Sequence, residues 1–146
     1  MADAQQKRRE RSSRPSRPAQ RRRKRSATGR GRVLVVHDNV DAARGLEVLL
    51  TKQGFEVATA FDGPSGVDAA LATKPDAVLL DLALGQVSGY EIARRLRAEP
   101  RLARTRLIAL TGFDQHTDRE RTRALGFSEH LIKPVVLEDL LAVLDS

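Results

Sequence analysis

The sequence predicts an α/β fold, a doubly wound sheet of five parallel strands flanked by five helices, and three observations carry that prediction. Short apolar runs rich in Val, Leu and Ile alternate with segments in which apolar residues recur at helical spacing. The runs are continuously apolar, which is typical of parallel strands covered by helices on both faces. The chain has 146 residues, 40% of them hydrophobic, which suits one such domain with a tail but not two domains.

The predicted strands are short and contain residue types that favour extended backbone. In chain order they are Val33–Val36, Glu56–Ala60, Ala77–Leu80, Leu107–Leu110 and His130–Ile132. Between them, apolar side chains recur on one helical face. These helical positions are Ala42, Leu46, Leu49 and Leu50, then Val67, Ala70 and Leu71, then Ile92, Ala93 and Leu96, and finally Leu137, Leu140, Leu141 and Leu144. An Arg-rich segment near Thr117–Leu125, closed by Gly126, predicts the remaining helix.

Charge separates the chain into two parts. Residues 1–32 carry 13 Lys and Arg against Asp3 and Glu10, a net charge of +11, whereas residues 33–146 carry 13 against 17, a net charge of −4. The first part contains no Leu, Ile, Val or aromatic residue, so it lacks the apolar surface that would offset the entropy of ordering. The sequence therefore predicts a disordered basic tail over 1–32 and a folded domain over 33–146.

The tail allows two interpretations. Its basic runs, Lys7–Arg9 and Arg21–Arg25, are suited to weak nonspecific phosphate contacts with nucleic acid or with an anionic membrane surface, or to a localisation signal. Alternatively, the tail is a solvated extension without a binding role, because basic runs are common and no aromatic residues are interleaved with these.

Composition excludes several classes of function. The chain has no Cys, which excludes disulfides, Cys-ligated zinc, a thiol nucleophile and an iron–sulfur cluster. It has no apolar run of about 18 residues, so we expect no membrane span, no secretory signal and a cytoplasmic location. Aromatic residues make up only 3% of the chain and Trp is absent, which argues against a stacking surface for bases or sugars.

Polar residues collect where the predicted strands end. His37 and Asp38 follow the first strand, Asp81 the third, Thr111 the fourth and Lys133 the fifth. In doubly wound sheets, ligands bind outside the carboxyl ends of the strands, so we expect these side chains at one edge. A helix cap or a turn would explain either aspartate alone. It does not explain two acids, a hydroxyl and an amine together.

This set suits the reversible attachment of a phosphoryl group to a carboxylate. Mg²⁺ takes a near-octahedral set of oxygens, which Asp38, Asp81 and the backbone carbonyl near Ala83 would supply together with water. A carboxylate oxygen of Asp81 would attack the incoming phosphorus. The ion and the Lys133 ammonium would stabilise charge on the phosphoryl oxygens, and Thr111 would donate a hydrogen bond to them.

With these residues in place, the segment Val33–Leu144 resembles a response-regulator receiver domain of two-component and phosphorelay signalling. The stretch Val78–Glu91 is similar to the phosphoacceptor strand and loop of that family, including Gly89, eight residues after Asp81. The stretch Arg106–Val136 resembles especially the receivers attached to hybrid histidine kinases or to chemotaxis methyltransferase proteins.

The resemblance implies a flavodoxin-like fold and a role for each residue at the strand ends. Thr111 and Lys133 follow Asp81 by 30 and 52 residues, the spacing of the family's switch and phosphate-binding positions. By this resemblance, Asp81 is the phosphoacceptor and Asp38 a magnesium ligand. Thr111 is the switch hydroxyl. Lys133 is the phosphate-contacting amine, and it precedes a proline that is frequently cis.

The resemblance also implies partners. A histidine kinase or phosphotransfer protein would donate the phosphoryl group from a phosphohistidine, and the domain would change shape at its fourth and fifth helices and bind a downstream protein. Such a module is not an enzyme, although it assists its own phosphorylation and dephosphorylation. No output domain follows Ser146 in this sequence, so we expect a stand-alone regulator, a phosphorelay intermediate or a receiver separated from a larger protein.

Three positions depart from the family pattern. His37 stands where the family normally has the first of two carboxylates, so magnesium affinity is expected to fall; alternatively, its imidazole hydrogen-bonds to a metal ligand and function is retained. Gly85 replaces a frequent proline, which loosens the loop after Asp81. His130 occupies a switch position often held by Tyr or Phe, where it either couples to Thr111 by rotating or packs at the surface.

Two further positions predict a long-lived phosphorylated state. By the resemblance, the side chains two residues after Asp81 and two after Thr111 orient or exclude the hydrolytic water, and here they are Ala83 and Phe113. Neither side chain hydrogen-bonds to water, so we expect autodephosphorylation to be slow. The alternative is that magnesium occupancy sets the rate.

Other functions fit the sequence less well. A phosphatase of the haloacid dehalogenase type needs a second acid at the position of Ala83. A dinucleotide-binding fold needs Gly-x-Gly-x-x-Gly after the first strand, where His37, Asp38 and Asn39 stand. No serine lies in a nucleophile elbow. The alternative from another class is a nucleic-acid-binding protein that acts through the basic tail on an inert receiver-like scaffold.

Overall fold

The computed structural model describes residues 29–112 and 119–146. Its strands are β1 (Arg32–Val36), β2 (Glu56–Ala60), β3 (Ala77–Asp81), β4 (Arg106–Gly112) and β5 (Phe127–Lys133). Its helices are α1 (Val40–Lys52), α2 (Gly63–Thr73), α3 (Gly89–Arg97), α4 (Arg119–Ala124) and α5 (Leu137–Asp145), with a short 3₁₀ helix at Pro100–Leu102. The five strands form one parallel sheet in the order β2-β1-β3-β4-β5. The predicted fold class is confirmed.

Helices cover both faces of this sheet because alternate residues of each strand point to opposite faces. On one face, Leu80 of β3 belongs to an apolar cluster that includes Ile92 of α3. On the other face, its neighbour Leu79 belongs to a second cluster with Leu50 of α1 and Leu140 of α5. The central strand β3 is buried along its whole length, so its last residue is enclosed by the core.

Four strands extend further than the sequence predicted, β1 and β3 by one residue each and β4 and β5 by more. β4 spans Arg106–Gly112 instead of Leu107–Leu110, and β5 spans Phe127–Lys133 instead of His130–Ile132. β5 lies at the edge of the sheet, where exposed polar residues such as Glu129 are tolerated, so its apolar run is interrupted. The apolar run that predicts a strand is therefore limited to the residues around the buried Leu131, although the buried Phe127 belongs to the same strand.

The helices on the two sides of the central strand begin at capping residues beside the carboxyl edge of the sheet. Asn39 caps α1 by accepting a hydrogen bond from the backbone N–H of Ala42 at 3.0 Å. Ser88 caps α3 by accepting one from the N–H of Glu91 at 3.3 Å. These caps satisfy N–H groups that a helix start leaves free, and they fix where each helix leaves its loop.

Within the two described segments, none of the helices combines the length and the apolarity that crossing a bilayer requires.

Most of the predicted basic tail, residues 1–28, lies outside the described residues, as does Thr117 at the predicted start of the fourth helix. Residues 29–32 are described, and Arg32 is already the first residue of β1. The Arg30 guanidinium pairs with Asp145 of α5 at 2.7 Å and lies 4.9 Å from the centroid of the Phe55 ring. The roles proposed for the tail, including nucleic-acid binding, stay predictions.

Candidate functional site

Asp81 is the most enclosed charged residue at the carboxyl edge of the sheet. It ends β3 and is 1% exposed. A buried carboxylate needs hydrogen-bond or charge partners to offset the loss of water. Its Oδ1 accepts a hydrogen bond from the backbone N–H of Ala83 at 2.9 Å and another from the Lys133 ammonium at 3.1 Å. The carboxylate is therefore held both by its own loop and by β5, two strands away.

Lys133 brings a positive charge to this edge from the last position of β5. Its side chain is 28% exposed, because it extends over the carboxyl end of β4 to reach Asp81. The peptide between Lys133 and Pro134 is cis. The structure thus joins the predicted amine and the predicted acceptor in one ion pair.

His37 and Asp38 form the loop after β1 and face the same carboxylate. The backbone N–H of His37 donates to the Ala60 carbonyl of β2 at 3.0 Å, which keeps the residue in line with the sheet. Its side chain is 8% exposed, and Nδ1 lies 3.4 Å from Asp81 Oδ2 and 3.7 Å from Asp38 Oδ1. Asp38 faces solvent more openly. We refer to His37, Asp38, Asp81 and Lys133 as the Asp81 centre.

Three side chains of the Asp81 centre lie close enough to share one metal ion. His37, Asp38 and Asp81 each offer a ligand atom, and these atoms all lie within 4.8 Å of one another. In an octahedral site with bonds of about 2.0–2.1 Å, adjacent ligands stand about 3 Å apart and opposite ligands about 4 Å apart. The three residues therefore fit a divalent cation after small side-chain adjustments. The backbone carbonyl of Ala83 as a further ligand stays a prediction.

Thr111 lies at the same edge, one strand away from Asp81. It is the next-to-last residue of β4 and is 3% exposed, and the register sets Asp81 opposite the residue just before it. Its role as the switch hydroxyl stays a prediction. Of the two residues linked to slow hydrolysis, Ala83 is exposed next to the centre, and Phe113 lies outside the described residues.

His130 forms its side-chain hydrogen bond with α4. Its Nε2 lies 2.8 Å from Thr122 Oγ1, and that hydroxyl donates to the Arg119 carbonyl at 3.0 Å. Because the hydroxyl proton goes to the carbonyl, we assign the hydrogen of the second bond to the imidazole nitrogen. Thr122 is fully buried, so this bond ties β5 to α4. We refer to Arg119, Thr122, Arg123 and His130 as the α4–β5 corner.

The surroundings of the α4–β5 corner lower the pKa of His130. Partial burial is the main cause, because it penalises the charged imidazolium. The guanidinium groups of Arg119 and Arg123 lower the pKa further, whereas the carboxylate of Glu129 opposes them. The coupling of His130 to Thr111 stays a prediction.

Two glycines shape the loop that follows Asp81. Gly85 has a φ of +57°, a value that the ring of proline forbids, so this loop differs from one that a proline would impose. Gly89 lies directly against β3, since a Cβ there would stand 2.5 Å from the Asp81 carbonyl oxygen and 2.6 Å from Leu82 Cα. α3 therefore begins in contact with the backbone that carries Asp81.

Sequence reasoning missed two residues that hold the site histidines. The backbone N–H of Asn39 donates to His37 Nδ1 at 3.2 Å, and Thr122 binds His130. Asn39 carried a usable signal, because an asparagine immediately before a helical segment is typical of a helix N-cap. Thr122 carried none, because it lies in an Arg-rich segment and only the fold brings it to His130.

Comparisons with known proteins point to one family. The sequence profile of the response regulator receiver domain matches residues 33–145. The chain is similar to the response regulator ArlR of Staphylococcus aureus, with 34% identity over 110 residues, which cover 75% of this chain and 49% of that protein. The chain thus spans about half the length of the curated relatives that it matches.

Solved structures share the fold. The chemotaxis protein CheY4 of Vibrio cholerae superposes with a TM-score of 0.73 at 25% identity, covering 78% of this chain and 95% of that one. The receiver domain of the sensor histidine kinase PA1611 of Pseudomonas aeruginosa gives a TM-score of 0.71 at 31% identity, covering 79% and 94%. That structure has a magnesium ion coordinated in its active site cleft.

Proposed function

Since the chain belongs to the response-regulator receiver family, we propose that it takes a phosphoryl group from a histidine kinase or phosphotransfer protein onto Asp81. Phosphorylation then switches its binding to a downstream protein. The observation that carries the proposal is the burial of the Asp81 carboxylate, which is 1% exposed, beside the Lys133 ammonium at 3.1 Å. An acid so enclosed and so directly paired with a cation suits the acceptance of an anionic group.

The proposed reaction is an attack by a carboxylate oxygen of Asp81 on the phosphorus of a phosphohistidine. A P–O bond forms as the donor's P–N bond breaks, and the electron pair of that bond leaves with the donor imidazole, which takes up a proton. Negative charge on the phosphoryl oxygens is offset by the Lys133 ammonium. The N–H of Ala83, which donates to Asp81 Oδ1 at 2.9 Å, keeps the carboxylate oriented.

A divalent cation is part of the proposal, and Mg²⁺ serves when it is supplied in excess. Asp38 and Asp81 hold it, and their clustering with His37 within 4.8 Å supports this assignment. The magnesium-bearing cleft of the PA1611 receiver supports it too. When bound, such an ion neutralises the carboxylates and so allows a second anionic group to approach.

In this scheme the chain is a stoichiometric acceptor rather than an enzyme. Asp81 is consumed by phosphorylation and regenerated by hydrolysis, and the Lys133 ammonium assists both steps. Thr111 of β4, buried at the same edge, donates a hydrogen bond to the new phosphoryl oxygens, and this bond changes the position of Thr111 within β4. The consequence is a change of shape at α4 and α5.

The test is intact-protein mass spectrometry after the full chain has been incubated with a small phosphoramidate and Mg²⁺. We expect the wild type to gain one phosphoryl mass and to gain none when the cation is chelated. Asp81→Asn should show no gain, whereas Asp68→Asn, which alters an exposed acid of α2, should match the wild type. Equal labelling of Asp81→Asn and the wild type, or an unlabelled wild type, would overturn the proposal.

A further inference from the structure

We propose that His37 is a direct ligand of the cation in the Asp81 centre, through Nδ1, and that the centre therefore binds Mn²⁺ and Co²⁺ in preference to Mg²⁺. The inference rests on the proposed function in one respect, because it concerns the cation that serves the same Asp81. It adds a nitrogen donor, and with it a choice of metal, to a site otherwise built from oxygens.

The first support is the position of the imidazole. Nδ1 of His37 lies 3.4 Å from Asp81 Oδ2 and 3.7 Å from Asp38 Oδ1, so it stands between the two carboxylates rather than behind them. Adjacent ligands in an octahedral site are about 3 Å apart, so an ion drawing these three atoms together shortens both distances by less than an ångström. The His37 side chain is 8% exposed, which leaves little room for it to turn away.

The second support is the lone pair on Nδ1. Among the described residues, the hydrogen bond to Nδ1 comes from the backbone N–H of Asn39, a donor, at 3.2 Å. The two carboxylates are too distant for good N–H···O bonds, so the geometry assigns the ring hydrogen to Nε2 and leaves a lone pair on Nδ1. A metal ion takes up that lone pair by displacing one weak hydrogen bond.

The third support is the balance of charge. An imidazole in place of a carboxylate leaves two carboxylates in the centre, and the Lys133 ammonium lies 3.1 Å from one of them. Mg²⁺ is a hard ion that loses its water reluctantly and depends on anionic oxygen, so it gains least from this set. Mn²⁺ and Co²⁺ accept imidazole nitrogen together with carboxylate oxygen, and Co²⁺ does so more strongly.

The test compares the cation affinities of the metal-free full chain and of His37→Asp by isothermal titration calorimetry with Mg²⁺, Mn²⁺ and Co²⁺. We expect the wild type to prefer Mn²⁺ over Mg²⁺, and His37→Asp to reduce this preference by roughly tenfold, mainly by binding Mg²⁺ more tightly. His130→Asn, which alters a histidine outside the centre, should keep the wild-type preference. Equal preferences in the wild type and in His37→Asp would overturn the inference.

A spectroscopic measurement guards against failure of His37→Asp to fold. The chain contains three histidines, so the double variant His116→Asn/His130→Asn leaves His37 alone. Pulsed electron paramagnetic resonance of this variant with Mn²⁺ should show the ¹⁴N coupling of a directly bound imidazole, and its absence would overturn the inference.

Neither the calorimetry nor the resonance measurement requires phosphorylation, so the two proposals can fail separately. Loss of labelling at Asp81 with intact ¹⁴N coupling would defeat the proposed function alone, whereas Mg²⁺-supported labelling without the coupling would defeat only the present inference.

Discussion

The Asp81 centre and the α4–β5 corner each hold a histidine beside charged residues, but the charges are arranged in opposite ways. In the Asp81 centre, groups from the loops after β1 and β3 and from the end of β5 surround a carboxylate that is 1% exposed and is paired with an ammonium. In the α4–β5 corner, two guanidinium groups flank an imidazole whose pKa they lower, and its side-chain hydrogen bond goes to Thr122.

This difference indicates how each region responds to a change. The Asp81 centre is fixed by attraction from several elements, so its geometry is available before any phosphoryl group arrives. The α4–β5 corner is held by a hydrogen bond from an imidazole whose charged form Arg119 and Arg123 disfavour. We therefore expect substitutions in the Asp81 centre to impair phosphorylation of Asp81. Substitutions in the α4–β5 corner should instead shift the pKa of His130.

The largest effect is expected from Lys133→Ala. This substitution removes the ammonium that lies 3.1 Å from Asp81, so the rate of phosphorylation by a small phosphodonor should fall on the order of 10²-fold. A time course of intact mass measures it. Lys52→Ala, at the exposed end of α1, is the matched control. A wild-type rate in Lys133→Ala would mean that the fixed positive charge is not part of the reaction.

Rigidity of the Asp81 centre is tested by Gly89→Ala. Its Cβ would meet backbone atoms of Asp81 and Leu82 at 2.5 and 2.6 Å, so we expect the free energy of unfolding in urea to fall by about 1–3 kcal/mol. Gly45→Ala, in the exposed middle of α1 with nothing within 4 Å, should instead stabilise by about 0.5–1 kcal/mol. Similar effects from both would show that α3 does not constrain the end of β3.

Water access to the Asp81 centre is tested by Ala83→Asn. An amide at this exposed position can orient a water molecule toward the phosphoryl group, so its loss should accelerate on the order of tenfold at saturating cation. Ala72→Asn, the same change on the exposed side of α2, should leave the rate unchanged. An unchanged rate in Ala83→Asn would point to metal occupancy as the control of hydrolysis.

For the α4–β5 corner, the prediction concerns pH. Burial, Arg119 and Arg123 place the pKa of His130 below its ordinary value near 6.5. The neutral imidazole therefore contributes stability that is present above that ordinary value and is lost as pH falls through the lowered pKa. Urea unfolding at successive pH values should show a larger loss of stability in the wild type than in His130→Asn, and equal losses would contradict the prediction.

The same pKa distinguishes the arginines of α4. A nuclear magnetic resonance titration should show the pKa of His130 rising in Arg119→Gln and in Arg123→Gln, because each removes a repulsive charge. Arg121→Gln is the control on the same helix, since the Arg121 guanidinium lies over the Tyr90 ring, 4.1 Å from its centroid. Equal pKa shifts in all three variants would mean that the net charge of the protein, and not the position of these two arginines, lowers the pKa of His130.

The smallest effect on stability is expected from deleting the basic segment 1–28, because this deletion leaves both the Asp81 centre and the α4–β5 corner intact. Deletion of residues 1–28 should change Tm by no more than a few degrees, because their composition offers nothing to a core. Deletion of 1–31 should cost slightly more, since it removes the exposed Arg30–Asp145 pair, worth about 0.2–1 kcal/mol. A large loss from the shorter deletion would mean that the segment docks on the acidic domain.

The fold and much of the Asp81 centre were predictable from the sequence, because the apolar runs mark the strands and the site residues stand where those runs end. Asp38, Asp81 and Lys133 each come at the end of an apolar run, and parallel topology brings those ends together. The α4–β5 corner was not predictable in the same way. The bond between Thr122 and His130 depends on how β5 pairs with β4. That pairing includes a register shift between Leu107 and Ile108, which the pattern of apolar residues does not predict.

The Arg30–Asp145 pair has a consequence for engineering the domain. It joins the residues just before β1 to the last residue of α5, so the two ends of the described domain meet at the amino edge of the sheet, away from Asp81. Circular permutation is favoured where chain ends lie this close. A short linker from Ser146 to Gly29, with new ends cut at an exposed turn, would preserve every strand pairing. The order of the elements along the chain is therefore separable from the chemistry that they assemble.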